Sequence, residues 1–364
     1  MSTAVVVDGV TVSPHMRHVW RLSTPLGMYE HCRLTRPLPE HGFCTDDSAR
    51  LLVLAARERA DATAVVLAER SLRFLELAHR GRGRFANRRA VDGSWLDDGL
   101  APDCDDASGR ALWGLGSAVA HAHDSAVRDR ALELFDAAVA FRSPSLRSTA
   151  FAVLGAGEIV SVDPSHGAAR ALIRDAASAW GHVGRSDRSS WRRRWPWPER
   201  RLHYANAVIP EMLIVVGRTL GDSEVQGAGL SLLHWLADVE SSHHGWLSVT
   251  PARGWGAGEP RPGFDQQPIE VAALADAAAT ASTVDRDSRW GELLDSCGQW
   301  FLGRNDIGTP MLDWATGGGF DGLTPHGPNL NEGAESTIAA VTTMQHTRRL
   351  MLSRGAGVAA WAGH

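Results

Sequence analysis

Seven carboxyl side chains in this sequence stand where they could do chemistry. Asp46, Asp47, Asp106, Asp265, Glu270, Glu332 and Glu335 each lie at or just before the start of an alanine- and leucine-rich run. Splitting a glycosidic bond needs two carboxyls, one to protonate the leaving oxygen and one to activate water or attack carbon. The same residues also suit a helix start. Thr45 is a good N-cap, with Asp46 and Asp47 in a first turn where the helix dipole favours negative charge. Pro268 fits the first helical position, which puts Glu270 at the usual place of a capping-box carboxylate. Capping explains any one cluster. It does not require several clusters to converge on one axis, and that depends on the elements carrying them.

Six such starts are visible: "TDDSARLLVLA" from Thr45, "DDASGRALWGLG" from Asp105, "SLRSTAFAVLGAGE" from Ser145, "YANAVIPEMLIVVG" from Tyr204, "QQPIEVAALADAA" from Gln266 and "NEGAESTIAAVTTM" from Asn331. Five amphipathic stretches lie between them. In one, Trp290, Leu293, Leu294, Cys297 and Phe301 follow the stripe of a helix with one buried face. "MRHVWRLSTPLGMYEHC" near the N-terminus supplies a sixth partner. The intervals Asp47 to Asp106 (59), Asn206 to Gln267 (61) and Gln267 to Glu332 (65) give a repeat of about sixty residues. With few strand signals, the expectation is all-α: six helical hairpins closed into an (α/α)6 toroid, a single domain over residues 1–364. An open solenoid is the alternative. In the closed form the six inner helices start at one end, and the loops before them build one face.

The unusual composition falls in those loops. Trp95, Trp191, Trp195, Trp197, Trp246, Trp255 and Trp314 lie there, half of the 14 tryptophans, beside carboxylates, amides and arginines. Aromatic faces among hydrogen-bonding groups suit an oligosaccharide or polysaccharide. Asp47 and Glu270, on the first and fifth hairpins, are the expected catalytic pair, with Asp47 as acid and Glu270 as base, because Asp46 could raise the proton affinity of its neighbour. An inverting reaction would need about 6.5 to 9.5 Å between the two carboxyls. The expected substrate-binding set is Asp46, Arg50, Trp95, Asp106, Trp195, Trp197, Tyr204, Asn206, Trp246, Trp255, Gln266, Gln267, Asp321, Glu332 and Glu335.

Composition removes other classes. All 37 basic residues are arginine, so a Walker A lysine, a Schiff-base lysine and a kinase lysine are excluded. Cys32, Cys44, Cys104 and Cys297 form no CxxC pair, which argues for buried thiols. The histidines show no HxxxH or HExxH spacing, so neither metal nor cofactor is expected. A net charge of -5 gives no general reason for nucleic acid, although arginines and tryptophans alternate in "RSDRSSWRRRWPWPERR". No segment reaches the roughly 20 apolar residues of a membrane span, and a cytoplasmic protein is expected. Two alternatives to a hydrolase stand: a non-catalytic carbohydrate-binding module, and a cyclase on an α/α toroid, whose DxDD proton donor "DCDD" (103–106) matches.

"HGFCTDDSARLL", "GRALWGLG", "WPWPERRLHYANAVIPEMLI", "FDQQPIEVAA" and "WFLGRNDIGTPMLDWATGGGFDGLTPHGPNLNEGAEST" together resemble a family of α/α-barrel glycosidase-like proteins often found beside or fused to glycosyltransferases. Within it the chain is most similar to mycobacterial endo-acting α-1,4-mannosidases that hydrolyse methylmannose polysaccharides. The likeness runs from about Leu22 to about Thr337, with "TDD", "QQPIE" and "GAES" its most specific blocks. It departs at Ser48, where an asparagine is expected, and at Ala107 and Ser108, where relatives carry Cys-His. The resemblance implies a glycoside hydrolase acting on internal α-mannosidic bonds.

Overall fold

The computed structural model describes residues 5–7, 10–12, 16–58, 61–101, 104–183 and 195–361. Asp103, Trp191 and most of the arginine-tryptophan stretch lie outside the described residues. Twelve helices are present among those described: α1 (Arg17–Leu22), α2 (Thr45–Arg57), α3 (Thr63–Ala78), α4 (Cys104–His121), α5 (Ser125–Ala138), α6 (Leu146–Val162), α7 (Gly167–Trp180), α8 (Val208–Leu220), α9 (Ser223–Val239), α10 (Pro268–Ser282), α11 (Arg289–Phe301) and α12 (Ala334–Trp361).

The inner helices form a ring. α2 packs on α4, α4 on α6, α6 on α8, α8 on α10, α10 on α12, and α12 returns to α2. Each has its outer partner: α3 on α2, α5 on α4, α7 on α6, α9 on α8, α11 on α10, and α1 on α12. The last pair joins the two ends of the chain, and polar contacts at the α12–α2 seam reinforce the closure. Buried Glu58 accepts from Arg348 Nη2 at 2.9 Å and from Gln345 Nε2 at 2.9 Å. This is the expected (α/α)6 toroid, not a solenoid.

Inner helices are covered on nearly all sides and outer ones on one stripe, as the apolar patterns require. On α11 the stripe Trp290, Leu293, Leu294, Cys297 and Phe301 is buried; a large apolar side chain so placed contributes roughly 1.5 to 3 kcal/mol. Small residues let the inner helices approach. A Cβ on Gly116 of α4 would stand 2.1 Å from the carbonyl oxygen of Gly155 on α6, so a larger residue there would force the helices apart.

Two expectations need correction. The N-terminal partner helix is only six residues long, because Ser23–Thr24 pairs with Gly27–Met28 as a hairpin. Strands are also more frequent than the sequence suggests, with seven two-stranded antiparallel ribbons among the described residues. Each strand is two or three residues long, and they pin loops together without making a layer. One ribbon, Phe43–Cys44 with Arg88–Arg89, sets the entry to α2. All four cysteines are buried and outside any disulfide. Among the described residues no helix is long and apolar enough to cross a membrane.

Candidate active site at the mouth of the toroid

The first turns of the inner helices gather at one end of the ring. The N-cap of α2 is Cys44, one residue earlier than the sequence suggests: its sulfur accepts the Asp47 N–H, while the Thr45 hydroxyl donates to Ala86 O at 2.6 Å. That shift moves Asp47 from the second to the third helical position. Its side chain is 2% exposed; Oδ1 accepts from Arg50 Nη1 at 2.7 Å and Oδ2 accepts from the Cys44 thiol at 3.1 Å. Arg50 extends the chain of charge to Glu335 on α12 at 2.7 Å. Arg110 of α4 stands 3.3 Å from Asp46 and 3.9 Å over the Phe151 ring. Asp46, Asp47, Arg50, Arg110 and Glu335 thus form one collar. Below it, Trp113 stacks on Phe151 in a narrow cavity of about 50 Å³ also lined by Val53, Ile269 and Ile338.

Glu270 belongs to a neighbouring network. It sits at the third position of α10 behind Pro268, yet it does not close a capping box, since the N-cap Gln267 makes no side-chain capping bond. It reaches across to the turn before α8. Oε1 accepts from Ala205 N at 2.5 Å, and Oε2 accepts from Asn206 N at 3.2 Å and Asn206 Nδ2 at 3.0 Å. Arg147 of α6 donates to Asn206 Oδ1, to Tyr204 O and to Glu199. Three donors use three of a carboxylate's roughly four acceptor positions, leaving one on Oε1.

Both carboxyls bind protons more tightly than usual. Burial pushes Asp47 up to about 6, opposed by the Arg50 guanidinium and assisted by Glu335; Asp46 is not the neighbour that raises it. Burial and then the Glu240 carboxyl push Glu270 up to about 8 against its N–H donors. At pH 7 Asp47 is therefore mostly ionised and Glu270 mostly protonated, the reverse of the roles expected from sequence.

The remaining expected residues divide by position. Asp106 accepts from Ser148 Oγ at 2.5 Å and from the exposed Tyr204 hydroxyl, so this pair faces solvent beside the collar. Asn206 is buried as the partner of Glu270. Gln266 is fully buried, bonded to Gly263 O, Asp306 and the Trp300 indole, and holds loops together. Asp321 accepts from Gly333 N and Ser336 Oγ at the start of α12. Glu332 is buried with Thr316 and His18. These three hold loops and the start of α12 in place through the bonds just named.

The tryptophans do not form one groove. Trp195 and Trp197 are 6% and 1% exposed and pack against Trp235 of α9, with Trp255 edge-on to Trp195. Core residues with covered faces cannot stack on a sugar, so Trp195 and Trp197 are corrected from ligand platform to core. Trp246 lies apart, stacked on His244 and bonded to Asp306. Trp95 is half-buried with Arg80 and Arg89 over its ring. Sequence reasoning missed Cys44, Arg110, Arg147 and Glu240 as members of the mouth. Arg110 lies within the quoted "GRALW" block, but nothing in a sequence announces which arginine points inward.

Ligand atoms of Glu30, Cys44 and Asp47 come within 4.8 Å of one another. They are a poor cation cage. Arg88 and Arg50 already neutralise the two carboxylates, and burial, followed by Asp47 and Asp46, pushes the Cys44 thiol well up, whereas metal ligation needs a thiolate.

No family profile matches the chain, and no curated protein matches it. Solved structures do. A sugar epimerase from a ruminal bacterium superposes with a TM-score of 0.67 at 12% identity, covering 93% of this chain and 97% of that one. The cellobiose 2-epimerase of Spirochaeta thermophila gives 0.63 at 14% identity, covering 93% and 95%. A cellulase of C. cellulolyticium solved with cellobiose gives 0.60 at 10% identity, covering 89% and 88%. At such identities the likeness shows the fold, an α/α toroid over nearly the whole chain.

Proposed function

We propose that the protein is a glycoside hydrolase acting on internal α-1,4-mannosidic bonds of a mannan-like, methylmannose-type polysaccharide or oligosaccharide, with Glu270 as general acid and Asp47 as general base. The observation that carries the reading is the ordered pair of buried carboxyls at one mouth, Asp47 at about 6 and Glu270 at about 8. An acid that holds its proton and a base that has lost its own can coexist only between those values. Glu270 has one acceptor position free of N–H donors for that proton. Asp47, gripped by Arg50 and Cys44, is oriented to activate water, and the net reaction is inverting. Tyr204 with Asp106, and Arg50 with Glu335, present paired hydroxyl, carboxylate and guanidinium groups for sugar hydroxyls at the rim.

The solved neighbours include sugar epimerases and a cellulase. The carboxyl pair favours hydrolysis. Among the described residues lining the central cavity the carboxyl groups are Glu211, Asp276 and Glu335, with no histidine. The sequence blocks around "TDD" and "QQPIE" support the mannan class. The test is incubation with α-mannan, methylated mannan, α-glucan and β-mannan oligosaccharides, with products read by mass spectrometry and chromatography. Shorter saccharides from an α-mannan are expected. An isomer of unchanged mass would overturn hydrolysis in favour of epimerisation, and no turnover of any substrate would leave a binding module.

A further inference from the structure

The opposite end of the toroid has polar chemistry that the mouth does not use. There the later turns of the inner helices enclose a cavity of about 210 Å³, room for about seven waters at roughly 30 Å³ each. That volume admits a monosaccharide-sized molecule and excludes a polysaccharide. Arg57 of α2 anchors its wall, donating to Asp276 of α10 at 2.8 Å and to Glu158 of α6 at 2.7 Å. His121 and His346 back the same carboxylates at 3.0 and 2.9 Å. This part is satisfied and needs no ligand. Cations near helix C-termini also offset the dipole, which explains why basic residues collect here.

Three groups remain unexplained. Arg218 of α8 and Arg349 of α12 line the cavity and are exposed, and among the described residues neither has a carboxylate in ion-pair range. Among the described residues Arg218 donates to the Thr283 hydroxyl, and Arg349 to the Arg57 carbonyl. Glu211, 5% exposed, lines both this cavity and the central one; Oε1 accepts from Thr280 at 2.7 Å, and its other oxygen has no hydrogen-bond partner among the described residues.

The charges do not cancel. Burial would raise Glu158, but His121 and Arg57 hold it down to about 2, and Asp276 is likewise held low by His346 and Arg57. Burial and Asp276 push Glu211 up to about 8, so it is mostly protonated at pH 7. Beside the two imidazoles, three arginines face two ionised carboxylates. The lining thus holds more guanidinium than ionised carboxylate, with hydroxyl, carboxyl and imidazole groups and Trp113 beside them.

From this geometry we infer a second ligand site at the base of the toroid, taking a small polyol that bears an oxyanion, a sugar phosphate or sugar acid, with Arg218 and Arg349 on the anion and Glu211, Thr280 and His121 on the hydroxyls. It does not depend on the function proposed for the mouth. The experiment is calorimetric titration of the full chain at low salt with mannose 6-phosphate, inorganic phosphate and mannose. Mannose 6-phosphate should bind and inorganic phosphate should compete with it, while mannose alone should not. The double variant Arg218→Gln, Arg349→Gln alters only exposed side chains and should weaken binding at least tenfold, whereas Asp47→Asn at the mouth should leave it unchanged. The site is refuted if mannose 6-phosphate does not bind, if the double variant binds it equally well, if Asp47→Asn abolishes binding, or if free phosphate binds as tightly as the sugar phosphate.

Discussion

Replacing Glu270 by Gln should make the protein less stable in acid and no less stable in base. In the wild type the folded carboxyl titrates at about 8 against an ordinary 4.5. The folded state therefore binds the proton more tightly, and stability falls as pH rises from about 4.5 to 8. At about 1.4 kcal/mol per pH unit the loss is about 5 kcal/mol once pH exceeds 8. Glutamine removes that slope. Its amide oxygen can keep the Ala205 N–H, but its NH2 then faces two donors, Asn206 N and Nδ2. Two buried donors left without acceptors cost about 1 to 3 kcal/mol each at most, so a net loss of about 2 to 4 kcal/mol is expected at pH 5. The two stability curves should converge or cross between pH 7 and 9. Denaturant unfolding of both proteins at pH 5, 7 and 9 measures this, and turnover on the best α-mannan substrate, measured alongside at pH 7, should fall by a factor of about 10² or more. Parallel stability curves would refute the raised proton affinity. A folded Glu270→Gln protein with near-normal turnover would refute the catalytic role, whatever the stability curves do.

Activity should be confined to a band around pH 7, falling below about 6 as Asp47 gains its proton and above about 8 as Glu270 loses its own; a flat profile from pH 5 to 9 would separate the chemistry from this pair. Cys44→Ala removes a donor to Asp47 and should move the acidic limb upward with the alkaline limb unmoved, visible in the same profile. Trp197→Ala empties a buried site beside Trp235 and should cost about 3 to 5 kcal/mol by denaturant unfolding, while a sugar-platform role would instead show weakened binding at normal stability. Arg57→Met leaves Asp276 and Glu158 without their shared cation and should cost about 3 to 5 kcal/mol, measured the same way near pH 7.

The sequence by itself determined the helices and their count of pairs, because local physics writes those signals. The stripe of Trp290, Leu293, Leu294, Cys297 and Phe301, Pro268 at a first helical position, and acidic first turns at Asp46 and Glu335 all depend on neighbours within a turn or two. The sixty-residue repeat then implied hairpins of similar size, and the preceding loops marked one functional end. Tertiary structure decided what those local signals cannot encode. Closure rests on Glu58 meeting Arg348, 290 residues away. Glu270 proved to cap a turn 64 and 65 residues earlier in the chain instead of its own helix, so its hydrogen-bond partners and its raised proton affinity follow from ring packing. Trp195 and Trp197 read as exposed because they lie in a polar loop, yet Trp235 of an outer helix covers them; burial is set by what packs from elsewhere, not by the polarity of sequence neighbours. The cavity at the base had no sequence signal at all, since its arginines, histidines and carboxylates are scattered over six helices, and only the closed ring brings their last turns to one place.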